Sequence, residues 1–582
     1  MPRGHNPMNW RILDGDPEAE DALRAELGIH PLTARLLVQR GLRTPAEAEA
    51  FLDPSLARLH DPLLLPDAEK ACERLKQALA AKEKILIHGD YDGDGLTSAA
   101  LWTRTLELLG GDVESFVPHR GRDGYDMRAP SIEQARRDGV RLIVTTDCGI
   151  QRLEEVETAR ELGIDVIVTD HHTPNRDGSL PRAVAVVNPH RLDSCYPFPN
   201  LAGVGVAYKV CEALVRYLGL RVDTFRRSCL DLVAIGTVTD VMPLLGENRI
   251  LVTHGLEVLR ATKKPGLKAL LAAAGYRNAQ AIDAHSIAFG IGPRLNSASR
   301  IDETTIALDL LLTRDAAEAA SLAQHLDELN AQRKETQAKV IEEAMQQVAR
   351  RDLEETRCLV VHSEGWPAGI IGLVASRLSE RFCRPCVVIG VDEETGEGRG
   401  SARSVPAFNM LGALDSCSDL LTEYGGHRQA AGLAIASGRV DAFAAKMDDI
   451  ARSTLTEEDL RPSLDADAEA DPESVTLELI EQLSRLAPFG NCNSAPRFVS
   501  RDVRLMDVST MGKDGSHLCL SLYAEGLNGD GKVRSPWFSH GEMLNQLTGR
   551  SSLDICYRPE INEFNGRRLV QFRIEDVRPP EF

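Results

Sequence analysis

Three short segments bring carboxylates and imidazoles together: His88-Gly-Asp90-Tyr-Asp92-Gly-Asp94, Thr145-Thr-Asp147-Cys-Gly149 and Asp170-His171-His172. A fourth acid, Asp240, closes the apolar stretch Leu232–Thr239. Carboxylates gathered at one place repel each other and need cations. Asp and His donors without cysteine favour Mn²⁺ or Mg²⁺ over structural zinc. Two such ions generate hydroxide and stabilise a leaving oxygen, the chemistry of phosphoester hydrolysis. Taken singly, an Asp after a strand also caps the next helix, and for Asp147 alone that reading stays open. The run Asp90–Gly95 is not a calcium loop, because no Glu stands near Leu101-Trp102-Thr103, where the distal ligand belongs.

The first three clusters follow the apolar runs Ile85–Ile87, Leu142–Val144 and Val166–Thr169. Val184–Val187 is a fourth strand candidate, and helical patterns cover Leu96–Leu109 and the stretch near Leu153–Leu162. This alternation predicts an α/β fold with a parallel sheet covered on both faces. The carboxyl ends of such strands share one edge, where ligands bind, so the clusters converge there. Asp240 is read with them as a further strand-end acid.

From Asp315 to Glu355 there is no Gly and no Pro. At ~1.5 Å per residue a single helix here exceeds roughly 50 Å and bridges two lobes; two packed helices with a turn near Asn330 are the alternative. A second α/β segment follows, with strands Cys358–Val361 and Val387–Ile389 around the helix Ile370–Arg381. The run Gly398-Arg-Gly-Ser401-Ala-Arg403-Ser offers backbone N–H groups, hydroxyls and guanidinium forks, which are phosphate-binding parts; a plain basic turn is the alternative.

The acidic stretch Asp465–Asp471 reads as a boundary. Beyond it Leu518, Leu520 and Leu522 alternate, as do Leu553, Ile555 and Tyr557, and Val570, Phe572 and Ile574, with Asn565-Gly566 as a hairpin signal. This end predicts a small all-β barrel. Its Tyr523, Trp537, Phe538, Tyr557 and Phe564 are there either to stack bases or to pack the core. Gly203-Val-Gly205 is only a partial dinucleotide fingerprint, and no Walker A motif occurs.

The chain has 582 residues, and 67 Lys and Arg against 87 Asp and Glu give a net charge of −20. That total argues against coating duplex DNA through bulk charge and leaves room for a local basic groove. No apolar run reaches the ~18 residues of a membrane span, and the N-terminus lacks an apolar signal core, so a cytoplasmic protein is expected. Cys383-Arg-Pro-Cys386 has no partner pair for zinc and reads as structural.

Together, HGDYDGDG, TTDCG, DHH and TVTD resemble the four metal motifs of the DHH phosphoesterases. Leu201–Lys209, Gly292–Ile301, Leu326–Arg333, Gly425–Gly432, Ala487–Gly490 and Tyr557–Arg568 extend the resemblance to the RecJ-like nucleases within them. The resemblance implies a single-strand-specific DNA exonuclease working from the 5′ end with two Mn²⁺ or Mg²⁺ ions. It implies Asp92, Asp94, Asp147, His171 and Asp240 as metal ligands, with Asp147 shared. Asp90 and His172 lie beside the metals and scissile phosphate, and His88 matches a ligand of smaller family members. Ser401, Arg403 and His427 correspond to a 5′-phosphate pocket. Arg120 (or His119 beside it), Tyr125, Arg294 and Asn296 correspond to strand contacts.

The implied architecture is two α/β lobes, of DHH and DHHA1 type, joined by a long helix, plus a C-terminal OB-fold. The expected boundaries are an N-terminal helical segment 1–80, a catalytic lobe 81–312, the connecting helix 313–355, a substrate-binding lobe 356–458 and an OB-fold 459–582. The implied partners are single-stranded DNA, single-strand-binding protein and a RecQ-type helicase. A DHH phosphodiesterase acting on short oligonucleotides or cyclic dinucleotides, and a non-catalytic DNA-binding relative, are the competing readings.

Overall fold

Successive residues of the apolar runs face opposite sides of one sheet. Ile85, Ile87, Val144 and Ile167 enter one core, and Leu86, Ile143, Val166 and Val168 enter another. In the computed structural model, which describes residues 8–119, 126–301, 305–564 and 566–580, this sheet is all parallel. Its order is Asp112–Phe116, Lys84–Gly89, Leu142–Thr146, Asp165–Thr169 and Ala185–Val187. The edge strand Asp112–Phe116 escapes sequence reading because only Val113 and Phe116 are apolar.

The chain divides into two compact units, Ser55–Leu460 with Gly490–Cys492, and residues 1–54 with Arg461–Phe489 and Asn493–Phe582. In the first unit, helices Ala68–Ala81, Gly93–Leu108 and Gly203–Tyr217 pack on this sheet, and Val222–Thr239 packs on the last two of them. One uninterrupted helix, Ala316–Val348, leads to the second lobe, so the two-helix alternative is discarded. Ala319, Ala323, Leu326 and Leu329 of its first half belong to the catalytic core. Val340, Ala344 and Val348 of its second half belong to the core of the next lobe. That lobe has a five-stranded mixed sheet in the order Glu423–Gly426, Ala430–Ala436, Glu397–Arg403, Cys386–Val391, Leu359–Glu364.

The glycine–arginine run is therefore a strand, not a loop. Its Gly398, Gly400 and Ala402 are buried, while Arg399, Ser401 and Arg403 alternate on the other face. The glycines serve packing: a Cβ on Gly400 would lie 2.7 Å from Leu433, and one on Gly398 2.9 Å from Ile389. The expected free backbone N–H groups are instead engaged in ladders on both sides.

In the second unit, Phe498–Met511 pairs with both His517–Tyr523 and Ser552–Phe564, which closes a β-barrel. The last two strands are antiparallel up to Phe564 opposite Arg567; Asn565 of the expected hairpin lies outside the described residues. The acidic stretch expected as a boundary forms the short strands Ser463–Ala466 and Ala468–Glu469, the first paired with Asn9–Ile12. Helices Pro17–Leu27, Pro31–Gln39 and Pro45–Leu52 each begin at a proline, whose fixed φ and missing N–H suit the first helical position.

One buried ion pair ties the catalytic helices together. Lys209 Nζ, fully buried, donates to Glu247 Oε1 at 2.6 Å and to the His60 carbonyl at 2.9 Å, and the Tyr196 hydroxyl donates to the other Glu247 oxygen. Glu247→Ala strands the ammonium in the core. The expected loss is about 3–5 kcal/mol, read as a lower urea midpoint for this unit and partly recovered by adding Lys209→Met.

Candidate metal centre and phosphate cleft

Each acid reaches the carboxyl edge of the sheet through a defined local device. Asp92 caps the helix Gly93–Leu108: its Oδ1 accepts from the Asp94 and Gly95 N–H groups, which leaves one oxygen for a cation. Asp94 points at the start of the helix Gly203–Tyr217, where Gly203 N and Val204 N donate to its two oxygens at 2.6 and 2.8 Å. The partial dinucleotide fingerprint thus does hold an anion, but the anion is the protein's own carboxylate. Asp147 adopts a left-handed backbone, φ 63°, and does not cap the following helix, whose N-cap is Arg152. A Cβ on Gly203 would lie 2.6 Å from Asp147 Oδ1.

Asp240 corrects the sequence reading. It is the C-cap of the helix Val222–Thr239, not a strand end. The helix delivers it to the site because Gly93 and Gly292 leave room for Thr239, each with a would-be Cβ under 3 Å from that side chain.

The first residue of the DHH triplet organises the other two. Asp170 Oδ1 accepts from His171 N, His172 N and His172 Nδ1, and Oδ2 accepts from Ile150 N. Burial alone would raise its pKa, but the His172 hydrogen bond and the histidine charges outweigh burial and hold it below the ordinary value. His172, drawn down by burial and raised by Asp170 and the surrounding acids, ends near 9.

His171 is the opposite case. Burial and the neighbouring His172 push it down to about 4, so it is neutral at physiological pH. Its Nδ1–H donates to the Leu201 carbonyl at 3.1 Å, which leaves the Nε2 lone pair facing Asp147 Oδ1 at 3.1 Å and Asp240 Oδ2 at 3.6 Å. A lone pair aimed at carboxylate oxygens is repulsive without a cation between them. His171 Nε2, Asp147 Oδ1 and Asp90 Oδ1 are buried and lack hydrogen-bond partners among the described residues.

Among the described residues three donor sets lie within ligand reach: Asp90, Asp92 and Asp147; Asp94, His171 and Asp240; Asp147, His171 and His172. Asp147 and His171 each belong to two of them. These residues fit two divalent cations. Burial, then the charge of its neighbours, raises Asp94 to about 7 and Asp240 to about 9 and lifts Asp90 and Asp147 well above the ordinary range. His88 belongs to none of the sets. It is buried against Phe116 and Cys148, and burial lowers it to about 4.

In the same unit a cleft of about 520 Å³ is lined by Arg300, Arg399, Ser401, Arg403, Glu423 and Tyr424, among others. Arg403 is oriented by Ser376 Oγ and Ser401 Oγ, both at 3.1 Å, and Gly372 clears space beside them. Arg300 was not singled out from sequence. It comes from the catalytic lobe and donates to the Gly369 carbonyl at 2.8 Å. Its signal was the helical spacing from Arg294, which places the two arginines on different sides of the helix Gly292–Ile301.

Arg294 itself does not line the cleft; it is held by Asp327 and by the Gly290 and Ala273 carbonyls. Asn296 is half-buried, with Oδ1 unpaired among the described residues. His427 is exposed on a turn and is not among the cleft's lining residues. Arg120 and Tyr125 lie outside the described residues.

In the barrel unit, Trp537 and Tyr557 are core residues. Phe538 is exposed, with the Arg573 guanidinium 5.5 Å over its ring and His517 edge-on at 5.4 Å.

Buried carboxylates that repel one another, and a neutral imidazole turned toward them, are chemistry for divalent cations at the edge of a parallel sheet. The class is that of the DHH phosphoesterases. Residues 84–237 match the DHH family N-terminal domain, 355–453 the DHHA1 domain and 466–576 the RecJ OB domain. The single-stranded-DNA-specific exonuclease RecJ of Dickeya dadantii is 37% identical over 97% of this chain and 98% of its own length. That of Bacillus subtilis is 38% identical over 99% of this chain and 71% of its own. A crystal structure of RecJ from Thermus thermophilus with Mn²⁺ superposes with a TM-score of 0.82 at 32% identity, covering 99% of this chain and 80% of that one. The same protein has been solved with Mg²⁺. The chain belongs to the RecJ family.

Two outcomes test the centre. Gly203→Ala should push Asp147 aside and weaken Mn²⁺ binding at least tenfold by calorimetry, with the fold retained. In metal-free protein the raised carboxylates bind more protons folded than unfolded, so stability should fall as pH rises from about 5 toward 9. Mn²⁺ should flatten that fall, and so should Asp240→Asn, read as thermal midpoints at pH 5, 7 and 9.

Proposed function

We propose that the chain is a metal-dependent exonuclease that hydrolyses single-stranded DNA from the 5′ end, releasing mononucleotides in DNA repair and recombination. The observation that carries this reading is one compact unit holding both the acidic centre and a cleft in which Arg300, Ser401 and Arg403 converge. Hydroxyl and guanidinium groups in a partly buried cleft suit a terminal phosphate.

Asp92, Asp94, Asp147, His171 and Asp240 would hold the ions, with Asp147 serving both. Two divalent cations there would lower the pKa of water and neutralise phosphate charge. His172, kept cationic by Asp170, stands ready to donate to a phosphate oxygen or to the leaving 3′ oxygen. Asp90, raised by burial and by Asp92, holds a proton or a cation beside it. Water oxygen adds to phosphorus, the bond from phosphorus to the 3′ oxygen breaks, and the 3′ oxygen takes a proton. The remaining strand then carries a new 5′-phosphate, the group the cleft receives, so each cut regenerates the substrate end.

Arg120, Tyr125 and Asn296 are assigned to the strand, and Phe538 to base stacking on the barrel. Single-strand-binding protein and a RecQ-type helicase are the expected partners, in the cytoplasm.

Asp147→Ala should abolish Mn²⁺-dependent release of mononucleotides from long single strands. Persisting activity would remove the assignment. Arg403→Ala and Arg300→Ala should each lower kcat/KM on 5′-phosphorylated strands by about ten- to a hundredfold, and less on 5′-hydroxyl strands, followed with a 3′ label. Equal slowing of both substrates would make these arginines general backbone contacts. Release of nucleotides from 3′ ends first would overturn the polarity.

A further inference from the structure

Among the described aromatic residues Phe289 is the most exposed, at 69%. It sits in a single π-turn, Ile287–Ile291, between the short turn Ala284–Ser286 and the helix Gly292–Ile301. Pro293 explains the wide turn: it has no N–H for the carbonyl four residues back, which is that of Phe289. Such turns occur often at functional sites.

The turn is held from three sides. Tyr276 presses on Gly290, where a Cβ would lie 2.5 Å from its ring, and its hydroxyl donates to the Ser286 carbonyl at 3.3 Å. Arg294 Nη1 donates to the Gly290 carbonyl at 2.7 Å, while Asp327 anchors the same guanidinium at 2.9 Å. Gly292 abuts Thr239, the residue before Asp240, with a would-be Cβ 2.6 Å from Thr239 Cγ2. The residue that follows the π-turn is thus packed on the one that precedes Asp240. One helical turn back, His285 is also exposed, and its ring lies 4.4 Å from that of Phe289 at a tilt of 31°. Two rings in series face solvent.

We propose that Phe289, backed by His285, is a stacking platform for a nucleobase of the strand at the acidic centre, and that Arg294 is the positioning residue that holds the platform on its π-turn. The proposal rests on the single-strand reading above. Every base has a π-face, so a stacking contact grips the strand without choosing sequence, as an exonuclease that must pass every nucleotide requires. It also gives Arg294 a purpose that its full set of protein partners denies it as a direct DNA contact.

The test places 2-aminopurine at successive positions of a 5′-phosphorylated oligonucleotide bound to the Asp147→Ala protein. Fluorescence should be quenched at one or two positions and restored there by adding Phe289→Ala. In the active enzyme Phe289→Ala should raise KM for single strands about five- to a hundredfold, with kcat within about twofold and an unchanged unfolding midpoint. Phe289→Trp should keep wild-type KM. Arg294→Lys should reproduce the KM defect and add nothing to Phe289→Ala. An unchanged KM with quenching intact in Phe289→Ala overturns the platform, and an additive Arg294→Lys effect overturns the positioning role. A wild-type protein that leaves single strands intact would instead overturn the functional reading beneath both.

Discussion

Five carboxylates meet at one edge of a buried sheet, and their mutual repulsion is the constraint that the catalytic lobe is built around. Asp90, Asp94 and Asp147 are almost fully buried, with Asp92 and Asp240 beside them. Burial penalises each charge, and each neighbour adds to the penalty. The fold offsets part of this with fixed dipoles. Two amides at a helix N-terminus bind Asp94, and two more at another bind Asp92. Among the described residues Asp147 Oδ1 and His171 Nε2 receive no comparable partners, and there the remaining demand is for cations. Amides thus offset part of the charge on Asp92 and Asp94, and none offsets that at Asp147 Oδ1 among the described residues.

Close backbone approach makes this arrangement possible. Gly203 stands against Asp147, Gly236 against Asp94 and Val204, and Gly93 and Gly292 against Thr239. Any side chain at these points would push apart the helices and loops that carry the ligands. The result is that an acid at a helix end, Asp240, joins acids at strand ends. Asp170, the leading letter of its motif, is spent on orientation: three of its four accepted hydrogen bonds come from the two histidines, and it keeps His172 cationic, whereas burial and His172 make His171 neutral.

The helix Ala316–Val348 is packed into the cores of both lobes, so the register between the acidic centre and the cleft is a matter of solid packing. Arg300 reaching the second lobe's Gly369 carbonyl reinforces it.

The sequence by itself determined the local chemistry. Apolar runs followed by acidic clusters are legible because strand burial on both faces demands unbroken hydrophobic residues, and the helix without Gly or Pro is legible for the same local reason. The candidate ligands Asp92, Asp94, Asp147, His171 and Asp240 are named from the family motifs, and the structure brings all five into groups that could hold an ion. What only the tertiary structure decided depends on partners distant in the chain. The run Gly398–Ser404 reads in sequence as phosphate-binding parts with free backbone N–H groups, a basic turn being the alternative; its glycines Gly398 and Gly400 are strand residues cleared for Ile389 and Leu433. Arg294 and Arg300 are equal in sequence, and only packing commits the first to Asp327 and turns the second into the cleft. Asp240 ends an apolar stretch in either conformation, and helix or strand was chosen by its neighbours across the core. Spacing along a chain encodes which face a residue takes, whereas charge compensation and close approach arise from residues hundreds of positions apart, and those are settled only when the chain folds.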